Sequence, residues 1–456
     1  MDRFDLIVIG GGPGGYLSAE RAAGGGLKTA VFEKANLGGV CLNEGCIPTK
    51  TLLNCAKLYR HATESESFGV TAENVTFDHA KVIERKKKVV KTLVGGVGAT
   101  MKACGVTVVR SEATILGKSA DGYRVKDAEG KEYSASKLCI ATGSSVVVPP
   151  VEGLKEGLAS GFVKTNREIL DETRLPSSLV VIGGGVIGLE MACYFASVGT
   201  KVTVIEMMNK IAGRTDADIC KVLMNEYGKR GMDFRLSCKV KKVGTDCVTF
   251  EENGKDVTIA CDSVLLSAGR RANTTGIGLE TIGVETERGA VITDRHMCTN
   301  VPGVYAVGDC NGKVMLAHTA YREAEVAVNH MLGIKDSMRY DCISSVIYTD
   351  PEVASVGLSK ADAEAQGMTV KEVKLPMAYA GRYVAETENG QGFCKLVWDV
   401  TRDRLVGVHI VGSYASEMIY GAALMLETEL PLEQLKKLVF PHPTVSEIIR
   451  EALFKL

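Results

Sequence analysis

Two cysteines, Cys41 and Cys46, lie in a glycine-rich segment and are the residues best placed to do chemistry. Residues five apart on a regular helix point about 140° away from each other, so a disulfide between them requires Cys41 to lie in a turn. Gly45 would help the backbone to bend before a helix whose first turn contains Pro48. A helix dipole stabilises a thiolate at its N-terminus, and Cys46 would benefit most. The pattern predicts an exchangeable redox pair.

Two other interpretations of the pair are open. One is a pair of unreactive buried thiols. The other is a zinc site, which is disfavoured because Cys55 is the nearest further ligand and stands alone.

Among the histidines, His442 has the neighbouring residues that best suit it to catalysis. Pro441 and Pro443 flank it, and Glu447 follows five residues later. These residues could form a dyad in which Glu447 orients an imidazole that acts as a general base. A solvent-exposed loop histidine is the simpler interpretation from the residues alone.

The elements that would position these groups are found in an internal repeat, which we call the first unit (residues 6–33) and the second unit (residues 179–206). Each begins with a β-branched run, breaks at a Gly-x-Gly-x-x-Gly loop, continues with helix-compatible residues and returns to an apolar strand ending in Glu. The key residues are Gly10, Gly12, Gly15 and Glu33 in the first unit and Gly183, Gly185, Gly188 and Glu206 in the second.

Such a unit is suited to binding a dinucleotide. The first glycine makes a tight turn, the second lets the backbone approach a pyrophosphate, and the third lets helix and strand pack closely. The helix N-terminus faces the phosphates, and the acidic residue accepts hydrogen bonds from a ribose. Two copies predict two dinucleotides. Glu206 favours NAD, because a carboxylate repels the 2′-phosphate of NADP and residues 207–209 include no arginine.

Composition narrows the class of protein. The 456 residues suggest three or four domains, and 54 basic against 55 acidic side chains give no reason to expect a nucleic-acid or membrane surface. Mostly single, scattered cysteines suit a reducing compartment, so we expect a cytoplasmic protein. The compact basic run Lys86-Lys87-Lys88 is interpreted as a solvated helix face rather than a docking site for an acidic partner.

Six motifs extend over nearly the whole chain. They are Gly-Gly-Pro-Gly-Gly-Tyr16, Cys-Leu-Asn-x-Gly-Cys-Ile-Pro-Thr-Lys50, Gly-Gly-Gly-Val-Ile-Gly-Leu-Glu190, Val-Tyr-Ala-Val-Gly-Asp309, Met315-Leu-Ala-His318 and His442-Pro-Thr-Val-Ser-Glu447. With these motifs the chain resembles the pyridine nucleotide-disulfide oxidoreductases, and within them the dihydrolipoamide dehydrogenase branch.

The resemblance implies an α/β fold with two Rossmann-like dinucleotide-binding domains and a C-terminal α+β dimerisation domain. It implies an FAD-binding domain with the cysteine pair (1–145), an NAD-binding domain (146–270), a central domain that completes the FAD site (271–340) and an interface domain (341–456). It also implies a homodimer, because in this family the histidine reaches the cysteines of the other subunit.

Roles of individual residues follow from the same resemblance. Lys50 and Glu190 should form an ion pair beside the reactive edge of the flavin, and Asp309 should bond the ribitol. The remaining FAD site should be lined by Ala113, Thr142, Gly143, Ser144, Met315, Leu316, Ala317 and His318. Val240 and Gly269 should border NAD. No metal is implied.

The implied reaction oxidises a dihydrolipoyl group. His442 would remove a thiol proton, the sulfur would attack Cys41, and Cys46 would be left as a thiolate that passes electrons through FAD to NAD. The carrier would be a lipoylated protein of a 2-oxoacid dehydrogenase complex or of the glycine cleavage system.

The alternatives are an NADPH-dependent disulfide reductase of the glutathione reductase type, against which Glu206 and Tyr16 argue, and a flavin redox sensor without turnover. Glu44 departs from the family pattern, which commonly has an apolar residue there. We expect it to raise the pKa of neighbouring thiols and to disfavour an acidic carrier.

Overall fold

The computed structural model describes residues 1–456, and the N-terminal part builds a sheet around the first unit. Its elements are β1 (Asp2–Ile9), α1 (Pro13–Gly24), β2 (Thr29–Phe32), α2 (Gly39–Glu44), α3 (Cys46–Thr63), α4 (His79–Ala103), β3 (Thr107–Val109), β4 (Thr114–Ser119), β5 (Gly122–Lys126), β6 (Glu132–Ile140) and β7 (Ser144–Val146). The strand order is β3-β2-β1-β6-β5-β4, with β1 parallel to both β2 and β6. All four residues of β2 are buried, as expected for a parallel strand covered on both faces.

The second unit, taken from here on as residues 154–272, repeats the plan of the first, taken as residues 2–146. Its elements are α5 (Leu154–Ser160), β8 (Val163–Lys164), α6 (Asn166–Ile169), β9 (Ser178–Ile182), α7 (Val186–Ser197), β10 (Lys201–Ile205), α8 (Ala217–Lys229), β11 (Asp233–Arg235), β12 (Lys239–Val243), β13 (Cys247–Glu252), β14 (Lys255–Ala260), β15 (Ser263–Leu266) and β16 (Arg270–Ala272). The parallel sheet has the order β11-β10-β9-β15-β8, and β12-β13-β14 form a separate antiparallel sheet.

A short antiparallel ribbon joins the two units. In it β16 pairs with β7, so that Ala272 lies opposite Ser144. The chain then forms β17 (Thr286–Glu287), β18 (Ala290–Val291), β19 (Val304–Ala306) and α9 (Ala317–Met331). Because β19 is wholly buried and pairs with β6, the segment after the second unit returns to the sheet of the first.

The C-terminal part is an antiparallel sheet with helices. It contains β20 (Ser345–Ile347), β21 (Val353–Gly357), α10 (Lys360–Ala365), β22 (Val370–Pro376), α11 (Gly381–Glu386), β23 (Phe393–Asp399), β24 (Arg404–Val411), α12 (Ala415–Thr428), α13 (Leu432–Leu435) and α14 (Glu447–Leu453). The strand order is β20-β21-β24-β23-β22, and side chains of α12 and α14 share its hydrophobic core. Tyr420 and Leu424 of α12 remain exposed.

The predicted fold class is confirmed: two units built on parallel sheets are followed by an α+β part. No helix combines the length and apolarity needed to cross a membrane. The exact bounds of the four predicted domains stay predictions.

Candidate active site

The two glycine loops have nearly the same geometry. Gly10 and Gly183 both have φ of 105°, and a Cβ atom on either would lie 2.2 or 2.5 Å from a backbone carbonyl oxygen. A Cβ atom on Gly15 or Gly188 would lie 1.8 or 2.3 Å from the carbonyl oxygen of the first glycine of its own loop. Since real Cβ contacts do not approach so closely, both loops require glycine for the tight turn and for the packing of helix on strand.

The acidic residue of each unit binds its own glycine loop. Glu33 accepts a hydrogen bond from Gly11 N at 2.8 Å, and Glu206 accepts one from Gly184 N at 2.7 Å. The other carboxylate oxygen of each accepts from the backbone N–H two residues further on, at 2.7 Å. Each carboxylate therefore holds the glycine loop beside its strand. The ribose contact of these residues stays a prediction.

The cysteine pair lies where two helices meet. Cys41 is in the short helix α2 and Cys46 is the first residue of α3, with Gly45 breaking the helix between them. The prediction that Cys41 lies in a turn is wrong, because the change of direction occurs at Gly45 alone. Pro48 is in the first turn of α3, as predicted, and both thiols are free.

The two thiols differ in acidity because they form a hydrogen-bonded pair. The pKa of Cys46 is lowered to about 7 by the hydrogen bond with Cys41 and then by the charge of Lys50, which outweigh the cost of burial. The pKa of Cys41 is raised by the same hydrogen bond and by burial. Cys46 is thus the thiolate of the pair near neutral pH, as expected for a residue at a helix N-terminus.

Lys50 and Glu190 form the expected ion pair beside the cysteines. Lys50 Nζ lies 2.8 Å from Glu190 Oε2 and 3.0 Å from Oε1, although the two residues are 140 positions apart. Glu190 is only 4% exposed. Tyr348 contacts both members of this pair. Its backbone N donates to Glu190 Oε1 at 2.9 Å, and its ring centroid lies 4.3 Å from Lys50 Nζ. Nothing in the sequence pattern indicated Tyr348.

Asp309 and Ser144 are brought together across the end of the first sheet. Ser144 Oγ donates to Asp309 Oδ2 at 2.5 Å. Thr142 and Gly143 lie in the turn before Ser144, and Thr142 Oγ1 donates to Asn273 O at 2.5 Å. These four predicted residues therefore form one wall of the site.

A buried carboxylate, that of Glu323, holds the backbone next to this wall in place. Glu323 is fully buried and accepts hydrogen bonds from Gly308 N at 2.6 Å, from Asn311 Nδ2 at 2.9 Å and from Tyr340 OH at 2.7 Å. Because it binds the backbone next to Asp309, it fixes the position of that carboxylate. An acidic residue among the apolar positions of α9 was the sequence signal that could have identified it.

A cavity of about 590 Å³ lies in the first unit, next to Lys34. It is lined by residues 34, 109–112 and 127–129, and Lys34 pairs with Glu112 at 3.0 Å on its wall. Ala113 is buried directly after this segment. The cavity is therefore continuous in sequence with Glu33 on one side and with Ala113 on the other.

The segment Met315 to His318 leads into α9. Met315, Leu316 and Ala317 are half-buried, whereas His318 is exposed and its Nε2 lies 2.7 Å from Ser344 O. The imidazole is thus engaged with the start of the C-terminal part, which leaves the backbone of this segment as the portion able to contact a ligand.

The two residues predicted to border NAD lie in different elements of the second unit. Val240 is half-buried on β12, and Gly269 follows β15 with φ of 108° and open space where a Cβ atom would project. No contact joins them, so their shared role stays a prediction.

His442 forms the predicted dyad with Glu447. Its Nδ1 lies 2.8 Å from Glu447 Oε1, and Glu447 Oε2 accepts from Thr444 N at 2.9 Å. The latter bond and then His442 lower the pKa of Glu447. The imidazole is 80% exposed and its Nε2 has no partner within the chain. The geometry supplies an oriented base with its second nitrogen free.

The structure bears on two expectations about charged residues. The interpretation of the basic run as a solvated helix face is wrong for Lys86, which is buried and pairs with Asp171 at 2.6 Å. Glu44 pairs with Arg167 at 2.9 Å and is not among the main causes of the pKa shifts of Cys41 and Cys46. Its effect on the thiols and on an acidic carrier stays a prediction.

Both glycine loops fit the phosphates of a dinucleotide. A Cβ atom on Gly185 would project into open space, and one on Gly12 would meet only Gly39 Cα at 3.8 Å. No side chain caps α1 or α7, so the first-turn N–H groups of both helices are free for an anion. The donor set at each loop therefore suits one pyrophosphate. No group of His, Cys, Asp and Glu side chains could hold a metal ion.

Comparison with protein families gave two matches. The family model described as pyridine nucleotide-disulphide oxidoreductase matches residues 4–324, and that family's dimerisation domain matches residues 343–453.

Similar proteins and structures extend over the whole chain. A dihydrolipoyl dehydrogenase of Geobacillus stearothermophilus is 38% identical, with 98% of this chain and 95% of the relative covered. One of Mycoplasma pneumoniae is 35% identical, with 99% and 98% covered. Among solved structures, LpdA of Mycobacterium tuberculosis has a TM-score of 0.89 at 26% identity, covering 100% of this chain and 99% of that one. The HOCl-induced flavoprotein disulfide reductase RclA of Escherichia coli, as a Cu(II) complex, has 0.88 at 26%, covering 100% of both.

Proposed function

Since the chain belongs to the pyridine nucleotide-disulphide oxidoreductase family, as its motifs predicted, we propose that it acts as a dihydrolipoyl dehydrogenase that uses FAD and NAD. It would oxidise a dihydrolipoyl group to the cyclic disulfide and form NADH. The observation that carries this proposal is the acidic thiol of Cys46 beside the Lys50–Glu190 pair.

The two cofactors would occupy the two glycine loops. FAD would lie along the first unit, with its adenosine end toward the cavity and its ribitol at Asp309, and NAD would lie on the second unit. Bound FAD supplies an acceptor for an electron pair between a thiol and a nicotinamide. Val240 and Gly269 would border NAD.

The chain's own side chains supply the thiol chemistry. In the oxidised state of the pair, a substrate sulfur would attack Cys41 and release Cys46 as a thiolate, and the second substrate sulfur would then displace Cys41. His442 would take the substrate's thiol proton at Nε2 while Glu447 stabilises the resulting imidazolium. Lys50 would hold its positive charge beside the thiolate.

The partners follow from the same assignment. His442 is exposed and lacks a sulfur partner in its own chain, and the C-terminal part matches a dimerisation domain, which together support a homodimer. The reduced substrate would be carried by a lipoylated protein of a 2-oxoacid dehydrogenase complex or of the glycine cleavage system. We place the enzyme in the cytoplasm, because scattered single cysteines suit a reducing compartment.

A single assay tests the assignment. Purified protein would be given dihydrolipoamide with NAD or NADP, and glutathione disulfide with NADH or NADPH, and the change in nicotinamide absorbance would be followed. We expect the dihydrolipoamide and NAD combination to be preferred by at least about a hundredfold. Preference for NADPH and glutathione disulfide would replace the proposal with the glutathione reductase type. Bound flavin without turnover on any combination would indicate a redox sensor.

A further inference from the structure

Arg270 lies where the two units meet and has no assigned role. It is the first residue of β16, on the ribbon that joins the units, and its guanidinium is half-buried. Its neighbour Arg271 is exposed, and its side chain makes no hydrogen bond within the chain. A buried cation requires compensating contacts, so the groups around Arg270 identify what it does.

Two nitrogen atoms of the guanidinium donate hydrogen bonds to Ser144, one of the residues predicted to line the FAD site. Arg270 Nε donates to Ser144 Oγ at 2.7 Å and Nη2 donates to Ser144 O at 2.6 Å. Since Ser144 Oγ uses its single proton in the bond to Asp309 Oδ2, its lone pairs are left to accept from Arg270. Arg270, Ser144 and Asp309 therefore form one directed chain of hydrogen bonds.

The same guanidinium also faces the redox pair. Asp309, Glu44 and Cys46 are the three groups whose negative charge attracts it. Ser144 takes Nε and Nη2, so Nη1 has no partner in the chain and remains available toward these groups. Cys46 is also faced by Cys41, Lys50 and Glu190, and Lys50 has the largest effect among the fixed charges. The phenol ring of Tyr348 lies near the same sulfur.

We propose that Arg270 is a positioning residue that holds Asp309 in place through Ser144 and supplies a second positive charge, after Lys50, to the Cys46 sulfur. This inference rests on the proposed function, in which Asp309 binds the ribitol. A planar guanidinium can make the two-atom grip on Ser144, and a lysine cannot. The two parts of the role, geometry and charge, can therefore be separated by substitution.

The test uses three variants of the full chain: Arg270→Gln, Arg270→Lys and, as a matched control, Arg271→Gln. One measurement is the dissociation constant of FAD. The other is the pH midpoint of iodoacetamide alkylation at Cys46 in the dithiol protein, read by mass spectrometry of the labelled peptide. Thermal unfolding checks that each variant is folded.

We expect Arg270→Gln to weaken FAD binding about tenfold and to raise the alkylation midpoint by about half a pH unit. Arg270→Lys should restore the midpoint but not the FAD affinity, and Arg271→Gln should change neither. If Arg270→Gln does not fold, the contrast between Arg270→Lys and Arg271→Gln in FAD affinity still decides the geometric part.

The proposal is overturned if Arg270→Gln and Arg271→Gln agree in both measurements, or if Arg270→Gln lowers only the unfolding temperature. Its failure is distinct from failure of the proposed function. A wild-type protein that binds FAD and shows the alkylation midpoint but does not oxidise dihydrolipoamide would refute the function and leave Arg270's role measurable.

Discussion

The two nucleotide units share a framework and differ in what lies above it. In both, a glycine with φ of 105° begins the loop and a Glu carboxylate binds the loop's backbone. Both loops are also held by the segment that follows the Glu, with Gly38 N donating to Gly11 O and Ala212 N donating to Gly184 O, each at 2.8 Å. In the first unit this segment leads into the cysteines and lies over the middle glycine, because a Cβ atom on Gly12 would be 3.8 Å from Gly39 Cα. In the second unit a Cβ atom on Gly185 would meet nothing within 4 Å, and Val186 and Ile187 at the start of α7 are 41% and 38% exposed.

This difference suits the two loops to different kinds of ligand. Because Gly39 lies over the middle glycine of the first loop, we expect a ligand there to exchange more slowly than one at the second loop, where the corresponding position is open. The first unit is thus suited to a resident cofactor and the second to a substrate that enters and leaves each cycle. The redox chemistry is attached to the covered unit alone.

The largest effect is expected when one thiol of the redox pair is removed. Cys46→Ser removes the thiol that would pass electrons onward, so dihydrolipoamide-dependent NAD reduction should fall by on the order of 10³-fold or more. FAD content, read from the visible spectrum, should be unchanged because the first loop is intact. Cys55→Ser serves as the control, with wild-type rates expected. Turnover of Cys46→Ser near the wild-type rate would remove the redox pair from the pathway.

The second prediction compares the two loops directly. In Gly185→Val the added side chain would occupy the open space above α7, so the dissociation constant for NAD should rise about a hundredfold while FAD content stays constant. In Gly12→Val the reverse is expected, with loss of FAD from the purified protein. Titration with NAD and spectroscopic determination of flavin measure both. Equal effects of the two variants on both ligands would contradict the assignment of FAD to the first loop and NAD to the second.

The pH response of the cysteines should also divide between the units. With its pKa lowered to about 7, Cys46 is a thiolate above that pH, so its alkylation rate should fall about tenfold per pH unit below 7 and level off above it. Burial raises the pKa of Cys261, next to β15 of the second unit, to about 12, so that thiol should stay unlabelled from pH 5 to 9. Peptide mass spectrometry after timed iodoacetamide treatment gives both rates. A flat profile for Cys46 would count against its role as the thiolate.

The smallest expected effect concerns the carboxylates. Glu206→Gln removes the charge that repels a 2′-phosphate, so the preference for NAD over NADP should fall about threefold to tenfold. Glu33→Gln disturbs its own loop in the same way but should leave that preference unchanged. The ratio of kcat/KM for the two nucleotides reports the effect, and an unchanged ratio in Glu206→Gln would assign cofactor choice to other residues.

The sequence predicted those features that recur at short spacing. The repeated loops, the cysteine pair and the His442–Glu447 dyad could all be inferred from local motifs, and the resemblance that those motifs carry implied the fold class. The ion pair across 140 residues was available only through family resemblance, since spacing does not reveal which distant side chains meet.

What the sequence could not predict were contacts made by tertiary packing. The backbone N–H of Tyr348 bonds a carboxylate 158 residues away, and Arg167 neutralises Glu44 from the second unit. Burial of Lys86 depends on where Asp171 lies after folding. The bend at Gly45 was predicted, but the helical state of Cys41 was not, because the six residues of α2 carry little intrinsic helical signal.

The exposed imidazole of His442 has a consequence for the activity of the protein at low concentration. In the proposed homodimer this exposed imidazole would reach the sulfurs of the partner chain, so the reaction would depend on the association of two chains. Specific activity should therefore decline on dilution, at a concentration set by the strength of subunit association rather than by substrate affinity. An apparently damaged preparation could regain its rate simply by being concentrated.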